Sequence, residues 1–256
     1  MERAQRGLTI GIGAAVLIAL VFAMVPPVMQ DPAYHAFADR RTLWGVPNFW
    51  NVITNAGFLL VALYGLKSLR SSSAFIASWE RTAYAVLLAG SAAVSAGSSY
   101  YHLHPDDSTL FWDRLPMAVI FMALLAAILG ERLGTEVGRG LLLPLLVFGA
   151  GSVFYWRFTG DLRLYGVVQF GTMLALPLIL LAGPPRYTLT GGLWWTAALY
   201  AAAKIAEFLD RPIAGSIATG GHPWKHLLAA GALFAYVRTV SRRRRMDRAE
   251  SSYGES

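Results

Sequence analysis

Eight apolar stretches follow one another along this chain, each close to the length that crosses a bilayer, and that succession leaves few folds open. A helical span needs about 20 mostly apolar residues. Such stretches run near 8–27, 49–69, 80–102, 110–130, 139–157, 163–182, 189–209 and 222–240. Between them lie Pro26-Pro27, Ser71-Ser72-Ser73, His104-Pro105-Asp106-Asp107, the Gly134 to Gly138 segment, Gly160-Asp161, Gly183-Pro184-Pro185 and the Pro212 to Gly221 segment. Clusters of Pro, Gly, Ser and Asp of this kind interrupt helices. Charged residues make up 14% of the chain and hydrophobic ones 55%, against about 25% charged in a soluble domain. The sequence predicts an all-α, polytopic membrane protein. The first stretch exceeds the ~7–15-residue apolar core of a signal peptide, and no small-x-small cleavage site follows it. An uncleaved transmembrane helix is expected there.

No cysteine is present, which removes disulfides and thiolate metal sites. Any metal must be held by His, Asp, Glu, Asn or backbone oxygen. The net charge is +7, and much of it lies between Arg238 and Arg248, including Arg242-Arg243-Arg244-Arg245. Basic residues next to a final span mark the cytoplasmic face of a membrane, so no nucleic-acid partner is expected. With the N-terminus inside, fourteen basic residues fall in inner segments and six in outer loops, while Lys204 and Lys225 fall within helices. That is the bias of the positive-inside rule, and it makes both termini cytoplasmic.

Against this apolar background Ser98, His102, Asp113, His222 and His226 stand out. The chain has only five histidines. His222 and His226 are four apart, as are Ser98 and His102, so each pair shares one helix face. In the predicted orientation His102 ends the third span, Asp113 begins the fourth, and His222 and His226 begin the eighth. All then lie toward the extracytoplasmic leaflet. Burying ionisable groups in a membrane is expensive, and their presence points to function.

Three imidazoles with an open position form the ligand set of a catalytic zinc site, where bound water ionises near neutral pH. Asp113 suits a general base that passes the proton to a leaving group, and Ser98 suits a donor to a developing oxyanion. Among apolar helices the expected substrate is a lipid with a hydrolysable amide or ester near its head group. Taken singly, each residue has a simpler reading. Ser98 suits close helix packing, Asp113 suits a helix N-terminus, and His104 suits a solvated turn.

Other polar residues fall at the same rim. Lys204, Glu207 and Asp210 have the spacing of local ion pairs, with Asp210 facing Arg211 or another arginine. Asn48, Asn51 and Asn55 fit interhelical hydrogen bonding. Trp44, Trp50, Trp112 and Trp156 at one side and Trp79 at the other fit an interfacial aromatic belt.

The set Ser98-x-x-x-His102, Asp113 and His222-x-x-x-His226 resembles that of the alkaline ceramidases, part of a membrane hydrolase superfamily that includes the adiponectin/progestin-type receptors. The local runs Gly97-Ser98-Ser99-Tyr100-Tyr101-His102, Trp112-Asp113-Arg114-Leu115-Pro116-Met117 and Gly221-His222-Pro223-Trp224-Lys225-His226 are similar as well. So are Pro47-Asn48-Phe49-Trp50-Asn51 and Gly160-Asp161-Leu162-Arg163. The resemblance covers roughly residues 31–240.

It implies a seven-helix transmembrane core plus one additional N-terminal transmembrane helix. Residues 1–28 would form the anchor helix, 29–241 the hydrolase domain and 242–256 a basic cytoplasmic tail. It also implies a zinc-dependent hydrolase that splits the amide of ceramide, or a related lipid, into sphingoid base and fatty acid. His102, His222 and His226 would bind zinc, Asp113 would move protons and Ser98 would assist the oxyanion. The alternative it permits is a zinc-containing receptor or structural membrane protein with little turnover. Family members carry an acid-rich calcium site before the first core helix. Here that stretch offers Asp39 and Asn48 beside Arg40 and Arg41, whereas calcium takes six to eight oxygen ligands, so no calcium requirement is expected.

Overall fold

The computed structural model describes residues 3–71 and 74–246, with side chains from residue 9 onward. Met1, Glu2, Ser72, Ser73 and residues 247–256, which hold Arg248 of the expected tail, lie outside the described residues. Among those described, the chain is helical without a strand; only isolated bridges occur, one of them joining Met29 and Asp161.

A first helix, α1 (Arg3–Met24), leads through a long connection to α2 (Phe49–Ile53) and α3 (Ala56–Gly65), which with the turn Leu66–Arg70 make one kinked rod. Then come α4 (Ser78–Leu103), α5 (Asp107–Leu133) and α6 (Thr135–Thr159). The next rod joins α7 (Arg163–Gly166), a π-helical turn at Val167–Gly171 and α8 (Thr172–Leu181). The chain continues through α9 (Gly191–Phe208), the short α10 (Asp210–Ala214) and α11 (His222–Arg242).

These rods coincide with the eight apolar stretches, but the expected count of spans is met only in part. Four rods, Phe49–Arg70, Asp107–Leu133, Thr135–Thr159 and Arg163–Leu181, are long and apolar enough to cross a membrane. The helices α9 and α11 break their apolar runs with charge, Lys204 and Glu207 in one and Lys225 and Arg238 in the other, and α4 dilutes its run with Ser, Gly and Tyr after Glu80 and Arg81 in its first turn. In α1 the described apolar part, Thr9–Met24, is shorter. The outer faces agree with a membrane protein. Leu60, Leu63, Leu143, Val147, Leu174, Leu178 and Leu181 are all more than half exposed, far more apolar surface than water favours.

The helices pack most closely as α4 on α5, α5 on α6 and α9 on α11, with α3 across α4 and α11. One core cluster gathers Tyr84, Leu87, Ile128, Val237 and Val240; a second, nearer the histidines, gathers Phe37, Tyr101, Leu110, Trp156 and Tyr165. Two glycines bring the helices together where the polar residues sit. A Cβ at Gly97 would fall 2.1 Å from the Trp112 carbonyl oxygen, so only glycine lets α4 approach α5 beside Ser98 and Asp113. Pro116 has no N–H to offer the Trp112 carbonyl four residues back, which leaves that oxygen facing α4. A Cβ at Gly221 would fall 2.1 Å from the Ala206 carbonyl oxygen, fixing the start of α11 against α9.

Three expectations change on folding. Trp156 and Trp79 are buried rather than at an interface. Trp156 packs on the Arg114 guanidinium, and Trp79 donates to Thr135 Oγ1 at 2.8 Å. Arg243, assigned by charge to the solvated tail, is also buried: its Nε donates to the Ala74 carbonyl and its Nη1 bonds Glu131.

Candidate metal centre

Two helices bring the three histidines together where α4 ends and α11 begins. His102, His222 and His226 are all buried, and one nitrogen from each lies within 4.8 Å of the others. The closest pair is His102 Nε2 and His226 Nε2, 3.2 Å apart. Two nitrogens bound at about 2.0–2.1 Å to one tetrahedral ion would sit about 3.3–3.4 Å apart, so this spacing suits shared ligation. His222 Nε2 has no hydrogen-bond partner although buried, and an unsatisfied buried polar atom is costly. The donor set, without thiolate or carboxylate, fits a borderline ion such as zinc better than calcium or magnesium. Among the described residues this is the one group of three potential ligands so placed.

The surroundings orient the rings. Thr54 Oγ1 donates to the Trp50 carbonyl at 2.7 Å and lies 2.9 Å from His226 Nδ1. With the hydroxyl proton committed to Trp50, Nδ1–H of His226 is the donor and Nε2 keeps its lone pair for an ion. The Phe37 ring packs on both His102 and His222, with centroids 4.6 and 4.7 Å away. Asn48, in the left-handed conformation that asparagine tolerates, donates to the His102 carbonyl at 2.9 Å. Asp210 receives the His222 backbone N–H at 2.8 Å and that of Ala38 at 2.9 Å. Its carboxylate thus ties the start of α11 to the Phe37 loop instead of pairing with an arginine, as spacing had suggested.

Ser98 of α4 and Asp113 of α5 are both buried. Both line a cavity of about 20 Å³ together with His226 and Lys225, room for about one water. Asp113 is not the helix cap. Asp106 fills that role, accepting from the Thr109 N–H at 2.7 Å, with Thr109 returning a bond to the Asp106 N–H.

Asp113 also lines a larger cavity of about 660 Å³, which runs to Leu17 and Val21 of α1 and includes Arg114, Lys204, Glu207 and Lys225. Lys204 and Lys225 both bond Glu207, the latter at 2.8 Å. Tyr34 adds a third bond to that carboxylate at 3.1 Å. The Lys204–Glu207 pair is the one the spacing predicted.

The remaining two histidines stay outside the group. His104 is exposed at the end of α4, and His35 bridges Tyr101 and Asp107 at 3.0 and 3.1 Å. At the stretch where the family's calcium site would fall, the Asp39 carboxylate is taken up by Arg41 at 2.7 and 2.9 Å. Burial pushes that carboxyl up, but the Arg41 bonds outweigh it and hold it below the usual range.

Sequence reasoning missed Thr54 and Phe37, named Arg114 and Asp210 at the rim without their partners, and gave Lys225, which is buried beside the histidines, no role. Lys225 carried a signal: it lies three residues from His222 and next to His226. Phe37 and Thr54 carried none. Compared with known proteins, the chain matches no family model and no curated relative.

Proposed function

We propose that this protein is a zinc-dependent membrane hydrolase of the alkaline ceramidase type, cleaving the amide bond of ceramide or a related lipid. The observation that carries the reading is the buried His102/His222/His226 group, in which His222 Nε2 is unpartnered, adjoining Ser98 and Asp113 beside a cavity with apolar walls.

His102, His222 and His226 would hold zinc, which would supply a Lewis acid and lower the pKa of a bound water to around 7. The chain's own groups do the rest. Asp113 takes a proton from the attacking water. The water oxygen bonds to the carbonyl carbon, the C–N bond breaks, and Asp113 returns the proton to the departing nitrogen, so that acid and amine are released. The Ser98 hydroxyl turns to the carbonyl oxygen as it gains negative charge. Thr54 holds the His226 tautomer. Lys225, tied to Glu207, keeps a positive charge beside the cavity that Asp113 lines. The walls of the larger cavity exclude water from the acyl chain.

By this reading the core has seven spans plus α1, both termini are cytoplasmic, and the site works from the extracytoplasmic leaflet. The test is metal content and fatty-acid release from a short-chain ceramide, measured on wild type and Asp113→Asn. Loss of release with zinc retained supports the hydrolase. Full release by Asp113→Asn contradicts the assigned role, and bound zinc without release in wild type points instead to a receptor or structural protein.

A further inference from the structure

Arg114 is a buried cation that the hydrolytic scheme does not use. It is 5% exposed. Its guanidinium lies over the rings of Trp156, Tyr165 and Tyr34 at 4.3, 5.0 and 5.5 Å. Its Nη2 donates to the Gln30 side-chain oxygen at 2.6 Å, whereas Nη1 is buried with no partner. A charged group removed from water is normally paired and fully hydrogen-bonded. Here three aromatic faces and one neutral amide fix the plane of the guanidinium and leave one nitrogen to spare. Arg114 forms part of the wall of the 660 Å³ cavity.

The formal charges around the cavity balance, Arg114, Arg163, Lys204 and Lys225 against Glu207, Asp161, Asp113 and Asp31, but they are not paired evenly. Lys204 and Lys225 share the single carboxylate of Glu207. Arg163 is matched by Asp161 at 2.7 Å. Asp113 and Asp31 supply negative charge, but among the described residues neither forms a salt bridge with Arg114. Away from this end the walls are apolar: Leu17 and Val21 of α1 on one side, Val167, Phe170 and Leu174 on the other. The π-helical turn at Val167–Gly171 shapes that second wall, and such turns recur at functional sites.

The helix α1 is fastened here rather than left loose. Arg163 donates to the Val25 carbonyl at 2.9 Å and the Phe22 carbonyl at 3.3 Å, capping oxygens that the helix end leaves unsatisfied, and stacks on Phe22.

We propose that this cavity binds an amphiphile with an anionic oxygen head group, a carboxylate or a phosphate, on Arg114 Nη1, with its apolar chain along α1. The proposal rests on the hydrolase reading only for its consequence that the natural substrate or product carries such a group; the binding itself needs no turnover. Arg114 is a specificity-determining residue, and α1 is a wall of the site as well as an anchor.

The experiment is thermal unfolding of the purified full-length chain in a neutral detergent, titrated with dodecanoate, dodecyl phosphate or dodecanol. Either anion stabilises wild type with an apparent affinity at least about tenfold above that of dodecanol, the worth of one hydrogen bond to a charged group. A stronger response to dodecanoate assigns the site to a fatty-acid carboxylate, and a stronger response to dodecyl phosphate to a phosphorylated head group. Arg114→Gln removes the preference. Because that variant disturbs three aromatic contacts, Leu17→Trp on α1 provides a second reading: it fills the apolar end and weakens all three ligands. Equal binding of dodecanol and the anions by wild type overturns the proposal, as does a preference that survives in Arg114→Gln or a Leu17→Trp protein that binds like wild type. None of these results bears on ceramide cleavage, which the preceding assay decides separately.

Discussion

The helices α4, α5 and α11 each carry buried polar groups near both ends, and the two ends satisfy them differently. Away from the histidines, the Tyr187 hydroxyl bonds Glu80, whose carboxylate also takes the Ile76 N–H at 2.8 Å. Arg243 reaches Glu131 at 3.3 Å and lies over the Tyr187 ring at 3.7 Å. Of the three buried atoms that lack a hydrogen bond there, Glu131 Oε1 and Arg132 Nε face each other at 3.7 Å, and the third is the neutral Ser68 Oγ. That cluster closes on itself. At the histidine end His222 Nε2 and Arg114 Nη1 are buried without partners, and the neighbouring Asp113 faces a cavity. Closed buried networks hold a fold in register, whereas open ones leave atoms for something that binds. Burial of polar groups alone does not mark a site; unsatisfied burial beside a cavity does.

The largest expected effect separates the two ends outright. His222→Ala abolishes both stoichiometric metal and hydrolysis, with little change in the melting temperature of metal-free protein. Next comes Asp113→Asn, which lowers hydrolysis by about 10²–10⁴-fold, the usual worth of a positioned acid–base group, with metal retained. The opposite pattern is expected of Arg243→Met. Removing Arg243 leaves Glu131 buried with only Arg132, 3.7 Å away, and costs up to about 3–5 kcal/mol, seen in chemical or thermal unfolding, while the folded fraction still binds metal. If Arg243→Met instead removed metal without loss of stability, the contrast between closed and open ends would fail.

A smaller effect belongs to Thr54→Val, which leaves His226 free to adopt either tautomer. Metal affinity falls by about 10–100-fold, measured by competition with a chelator. The smallest tests the loop that starts α5. Asp106→Ala costs about 1 kcal/mol of stability. Hydrogen bonds from the Ser108 hydroxyl and the Thr109 N–H hold the Asp106 carboxyl down at about 2, below the ordinary value near 3.9. A carboxyl lowered on folding stabilises above its ordinary value and loses that contribution as pH falls through its folded one. The difference between wild type and Asp106→Ala therefore shrinks between about pH 4 and pH 2.

Much of this was legible in the chain itself, because membrane helices declare themselves by length and apolarity. The breaks at Gly134, Gly160 and Gly183 match the observed turns, and a shared depth was enough to bring His102 together with His222 and His226. What stayed hidden depends on tertiary packing. Thr54 reaches His226 only because the kinked α2–α3 rod leans on α11. Arg243 looked like tail charge until Glu131 of α5 came beside it. Asp210 sits next to Arg211 in sequence, yet its carboxylate finds backbone N–H groups from two other segments. Trp156 follows the interfacial pattern by type and position, but the Arg114 guanidinium draws it inside. In each case the deciding partner lies on a different helix, where no spacing rule reaches.

The most direct test of the central claim is metal analysis of detergent-purified wild type beside His222→Ala, with fatty-acid release from a short-chain ceramide followed on the same samples. About one zinc per chain together with release, both lost in His222→Ala, is the predicted result, in keeping with a single three-histidine catalytic site. Wild-type protein that carries no zinc, or a His222→Ala protein that retains both zinc and release, would contradict it.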